Sequence, residues 1–144
     1  VSYAVDANVL LHASDESSPV HRRARDFVEQ ISAGPEIVYL FWPVVTAYLR
    51  IATHPAVFAR PLSIAEAVAN VDQLLARRHV RTTGEVDAFW RVFRDVIEDS
   101  LSAGNLVADA HLVALMRQND VRTIWTRDRD YRRFSGIEVR DPFA

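Results

Sequence analysis

The sequence predicts an α/β fold, a parallel sheet covered on both faces by helices. Two observations carry that reading. Short runs of β-branched and aromatic residues alternate with segments of helical periodicity. No linker, repeat or low-complexity stretch breaks the alternation across the 144 residues, so one domain over residues 1–144 is expected.

In chain order, Tyr3–Val5 is an apolar run ending at Asp6 and reads as the first strand. Pro19–Ile31 has helical spacing and stops near Gly34–Pro35. Ile37–Phe41 is β-branched and aromatic, the second strand. Pro43 suits the first turn of a helix reaching Thr53. Ser63 and Glu66 form a capping-box pattern opening a helix to about Arg78. His79–Thr82 is a candidate third strand, and Glu85–Ala103 reads as one long amphipathic helix. Asn105 is placed to cap a helix over Leu106–Gln118. Val121–Thr126 and Ile137–Val139 are the last two strand candidates, with a short helix over Arg129–Phe134 between them.

Composition excludes several chemistries. The chain has no cysteine, which removes disulfides, thiolate nucleophiles and soft-metal sites. All 17 basic residues are arginine, so a P-loop lysine and Schiff-base chemistry are absent. Its four glycines form neither a dinucleotide fingerprint nor a nucleophile elbow. The net charge of −2 gives no bulk attraction for nucleic acid, so any such contact needs a local patch. No membrane-length apolar run or signal peptide is evident, and a cytoplasmic location is expected.

Ligand sites in open parallel sheets form at the carboxyl ends of strands. Asp6 and Asp128 follow the first and fourth strand candidates at that edge. Each could also be a turn former or helix cap. Asp109 is more informative. On a helical wheel it falls within the apolar stripe, between Leu106 and Val113 on one side and Leu112 and Met116 on the other. A buried carboxylate needs a proton, a counter-charge or a cation. The plain explanation is an ion pair to an arginine such as Arg50. A meeting of the three acids around Mg²⁺ or Mn²⁺ is the economical alternative. Asn8, Asn105 and Thr126 are placed to orient ligands, or equally to cap and turn the chain. Beside them runs Arg127-Asp128-Arg129-Asp130-Tyr131-Arg132-Arg133-Phe134, either a phosphate guide or a self-satisfied surface. The five histidines show no paired spacing.

The segments VDANVLL, GNLVADAHLVAL and TIWTRDRDYRRF, in this order and spacing, resemble a PIN-domain ribonuclease. More narrowly they resemble a VapC-type toxin of a bacterial toxin–antitoxin pair, and YLRIATHPAVFARPLSIAEA resembles the branch common in mycobacteria. The resemblance implies a PIN-like three-layer sandwich with a central, mostly parallel five-stranded sheet flanked by helices. It implies catalytic acids at Asp6, Asp109 and Asp128, with Asp130 a further metal ligand. Asn8 and Thr126 would support them, and Arg127 and Arg129 would bind RNA. The implied activity is endonucleolytic cleavage of tRNA or rRNA by metal-activated water, with a VapB-type antitoxin and a second copy as partners. The family usually carries a glutamate on the helix after the second strand. Here Tyr48 stands there, and no acid lies between Glu36 and Glu66. Water and Asp130 together would then complete the metal shell. The alternatives are a non-catalytic RNA- or protein-binding module of the same fold, and an aspartyl phosphatase or phosphotransferase, which the absence of lysine disfavours.

Overall fold

A computed structural model describes all residues, Val1–Ala144. Its centre is β1 (Ser2–Val5), whose Tyr3, Ala4 and Val5 are buried. A strand buried on both faces reads as an apolar run, and this one does. On one side β1 pairs with β2 (Ile37–Tyr39), which carries β3 (Val80–Arg81) at the edge. On the other it pairs with β4 (Thr123–Trp125), followed by β5 (Glu138–Arg140). The order is β3-β2-β1-β4-β5 and every pairing is parallel. The expected mostly parallel sheet is wholly so.

The register brings the strand ends level. Val5 lies opposite Trp125, and the Asp6 amide donates to the Trp125 carbonyl at 3.0 Å. The Thr126 amide donates in turn to the Arg140 carbonyl at 2.9 Å. Chain leaving β1 therefore emerges beside chain leaving β4.

Six helices cover the sheet. The first, α1 (Ala7–Ser14), starts as soon as β1 ends. The sequence pattern assigns no helix there, because an eight-residue segment with three consecutive apolar residues shows no periodicity. Asp6 supplies the start signal: its carboxylate accepts from the Ala7 amide at 2.7 Å. Then come α2 (His21–Ala33) and α3 (Trp42–Ala52), with Pro43 in the first turn of α3 as expected. The expected capping box opens α4 (Ile64–Leu75), where the Glu66 amide donates to Ser63 Oγ and the Ser63 amide to Glu66 Oε1.

The expected long helix is shorter, α5 (Phe89–Ser100). Gln118 ties down the irregular chain before it, donating to the Gly84 carbonyl at 2.9 Å and accepting from the Val86 amide at 3.1 Å. Leu101 ends it in the left-handed conformation, φ 54°. The last helix, α6 (Leu106–Gln118), has its expected bounds, but Asn105 makes no side-chain capping bond. A 3₁₀ turn covers Arg129–Arg133. Helix α1 packs on both α2 and α3, α3 packs on α4, and α5 packs on α6. The fully buried core includes Val5, Val9, Val38, Phe41, Leu115, Met116 and Ile124.

Candidate metal centre

The level ends of β1 and β4 are joined by one side chain. Thr126 is buried at 1% exposure, and its hydroxyl serves three neighbours. It donates to Asp6 Oδ2 at 2.8 Å and accepts from the Asp128 amide at 3.0 Å and from Asn8 Nδ2 at 3.0 Å. Asn8 also donates to Asp6 Oδ2 at 3.3 Å, and its Oδ1 accepts from the Arg127 amide at 3.2 Å. Both Asp6 oxygens are engaged, one by Ala7 and one by Thr126 and Asn8. That state does not favour the nucleophilic carboxylate of a phosphotransferase. Asp6 thus combines the cap role and a place at the sheet crest, two readings that were alternatives in the sequence.

Asp109, in the first turn of α6, is drawn to the same crest. One carboxylate oxygen each from Asp109, Asp128 and Asp130 lie within 4.8 Å of one another. Asp6 is not one of that trio, although its charge is felt by Asp109. The Asp128 carboxylate is aimed by its own turn, accepting from the Asp130 amide at 2.9 Å.

Asp109 is about half-buried rather than deep in the core, and Arg50 is not its partner. Arg50 is exposed, and no arginine pairs with Asp109. Burial pushes the Asp109 carboxyl up to about 6, helped by the charges of Asp128, Asp6 and Asp130 and opposed by the Tyr131 hydroxyl. Burial also raises the Asp6 carboxyl, with the Asp128 charge adding and the Thr126 and Ala7 hydrogen bonds opposing. The Tyr131 phenol is raised by burial and by the same carboxylates, so it stays a neutral donor.

The donor set is all carboxylate oxygen, which fits a hard divalent cation. A cation would also relieve the repulsion that raises Asp109. The residues present therefore fit Mg²⁺ or Mn²⁺. Asp130 is exposed and Asp128 half-exposed at this crest, so the cluster is reachable from solvent.

Tyr48 offers no ligand to this trio. Its buried hydroxyl bonds Ser14 Oγ at 2.7 Å and accepts from Asn70 Nδ2 at 2.9 Å, lining a groove of about 530 Å³ between α1, α2 and α4. Asp130 is the additional carboxylate in the cluster. The arginines of the Arg127–Arg133 run are exposed, and none forms an ion pair. The self-satisfied reading of that run is not what the structure contains. Arg127 and Arg129 flank Asp128 with their charges uncompensated.

The family model described as PIN domain matches residues 3–137. The chain belongs to the PIN-domain family. Among PIN-domain relatives, it is 49% identical to Ribonuclease VapC48 of Mycobacterium tuberculosis over 144 residues, all of this chain and 99% of the relative. Its fold matches the crystal structure of M. tuberculosis VapC20, a sarcin–ricin-loop cleaving toxin, with a TM-score of 0.66 at 15% identity over 94% of this chain and 98% of that one. It also matches VapBC2 of Rickettsia felis, solved on a DNA fragment of its promoter, with a TM-score of 0.68 at 11% identity over 98% of each chain. The PIN fold is thus established by sequence and shape together.

Two outcomes follow from the crest geometry. Replacing Thr126 with Val removes a hydroxyl that three buried or half-buried groups share. Thermal or urea unfolding should show a loss of about 1–3 kcal/mol, and Thr126→Ser should restore most of it. Asp109 carries the opposite sign. Its folded-state value lies above its ordinary one, so its contribution is fully present below about pH 4 and is lost as pH rises through about 6. In EDTA, Asp109→Asn should therefore unfold at a higher temperature than the parent above pH 6, with the gap closing toward pH 4. A variant less stable than the parent at pH 7.5 would contradict the repulsion argument.

Proposed function

We propose that residues 1–144 act as a single PIN-like domain with divalent-cation-dependent endoribonuclease activity, the cytoplasmic toxin of a VapBC-type pair. The observation that carries this is the trio Asp109, Asp128 and Asp130, its ligand atoms within 4.8 Å and no arginine neutralising it. Three carboxylates kept that close without a counter-charge are poised for a cation. Full-length identity of 49% to a protein named as a ribonuclease supports the reaction class. The shared fold of VapBC2 supports a VapB-type antitoxin as partner, and that of VapC20, a sarcin–ricin-loop cleaving toxin, supports rRNA as a substrate class; a second copy and tRNA come from the family resemblance.

In this reading Asp109, Asp128 and Asp130 hold Mg²⁺ or Mn²⁺, with Asp6 as the fourth acid of the centre. When bound, the cation supplies Lewis-acid activation of a water and stabilises charge on the phosphate oxygens. The protein's own part is placement. Thr126 and Asn8 fix the Asp6 carboxylate, and the 3₁₀ turn fixes Asp128. Tyr131 keeps a neutral hydroxyl toward Asp109. Arg127 and Arg129 meet the RNA backbone on the rim of an acidic centre that would otherwise repel it.

Purified protein incubated with total RNA should cut it in magnesium and not in EDTA. Asp128→Asn should lose more than the roughly 10–100-fold that removal of an outer partner costs. Products should carry 5′-phosphate and 3′-hydroxyl ends. RNA left intact in every tube, yet bound equally with and without magnesium, would establish the non-catalytic module instead. Ends with 2′,3′-cyclic phosphate would contradict the metal mechanism.

A further inference from the structure

We propose that Phe143 is a positioning residue for Arg127, holding its guanidinium on the rim of the acidic crest with the hydrogen-bonding edge free for an RNA phosphate. The proposal rests on the ribonuclease reading above and names a part of the site that no motif contains.

Phe143 is itself firmly seated. Its carbonyl accepts from Arg23 Nη1 at 2.6 Å, and its amide donates to Asp141 Oδ1 at 2.8 Å. Its ring meets His12 of α1 edge to face, with centroids 5.7 Å apart at 86°. The ring is buried at 8% exposure. Over it sits the Arg127 guanidinium, 5.7 Å from the centroid, within the range of a cation–π contact. At its other end Arg127 is pinned through the backbone, its amide donating to Asn8 Oδ1. Ring and amide together restrict both ends of one arginine.

The hold matters because of what surrounds it. Arg127 precedes Asp128 directly, and three carboxylates crowd the crest. A guanidinium beside such a cluster is drawn to a carboxylate, and a bidentate pair would occupy its fork and cancel its charge. Arg127 forms no ion pair, and its guanidinium donates no hydrogen bond within the chain. An aromatic face attracts the cation through the ring quadrupole and uses none of its N–H groups. The fork therefore stays available to a phosphate, and the carboxylates stay available to a cation. Arg129 has no aromatic partner and lacks this device.

The test is a double-mutant cycle on the full chain, read by anisotropy of fluorescent bulk tRNA in EDTA, which blocks cleavage and leaves phosphate contacts. Arg127→Ala should weaken binding and make its salt dependence shallower by about one unit of log–log slope. Phe143→Leu keeps an apolar side chain and loses the quadrupole, and should weaken binding about two- to fivefold. Phe143→Tyr should bind like the parent. The double variant Phe143→Leu/Arg127→Ala should bind no worse than Arg127→Ala alone. Additive losses, or a Phe143→Tyr variant as weak as Phe143→Leu, would overturn the proposal by showing the ring to be packing alone. So would tRNA binding indifferent to Arg127→Ala in a protein that still cuts RNA with magnesium, an outcome that leaves the ribonuclease reading standing. A parent that neither binds nor cuts RNA brings down both. Should Phe143→Leu fail to fold, the NMR signals of the Arg127 side chain decide. They should be shifted upfield by the ring in the parent and in Phe143→Tyr, and unshifted signals in the parent would overturn the proposal.

Discussion

The β1–β4 pairing, closed by the Thr126 hydroxyl, is the constraint from which the crest is built. Parallel register sets Val5 opposite Trp125, so the next residues of both strands leave the sheet side by side. Thr126 then links Asp6 at the end of β1 to the Asp128 amide beyond β4. Asn8 closes the same circuit from α1 to the Arg127 amide. Asp6 and Asp128 are aimed by backbone positions that this junction fixes, and α6 brings Asp109 to them. A hydroxyl suits the role because it donates once and accepts twice, and all three capacities are used.

The arrangement is destabilising by itself. Asp109 is half-buried and faces carboxylates from another part of the chain, and its carboxyl rises accordingly. A structure selected for stability alone would place an arginine there, and this chain has arginines close by. They are instead left at the rim. A folded-state cost at a carboxylate cluster is ordinary for functional sites, where local consistency is sacrificed to chemistry. Binding of a cation to the folded chain alone would offset it.

Much of this was legible in the chain itself. Strand positions followed from β-branched and aromatic runs, and the capping box at Ser63 and Glu66 located the start of α4 to the residue, while its end falls at Leu75 rather than near Arg78. Asp109 stood out because an acid in an apolar helical stripe demands a partner, although it lies in the less buried first turn of α6, before the buried run Leu112–Met116. Other features had no local signature. The short helix α1 is set by a cap whose residue was also a site candidate. The long helix expected over Glu85–Ala103 is shortened by Gln118, a contact from a distant element that no local pattern encodes. Asp130 entered by resemblance, since a carboxylate in an Arg/Asp run is locally indistinguishable from a solvated one. The seating of Arg127 on Phe143 joins residues that only the fold brings together. At position 48 the structure commits the Tyr48 hydroxyl to Ser14 and Asn70.

The central claim is that Asp109, Asp128 and Asp130 share one divalent cation. Anomalous diffraction at the manganese edge, from crystals grown with Mn²⁺ near neutral pH, addresses it directly. The account predicts a single strong peak among the three carboxylates, lost in crystals of Asp109→Asn. A map without a peak there, or with an arginine guanidinium seated between the acids, would contradict it.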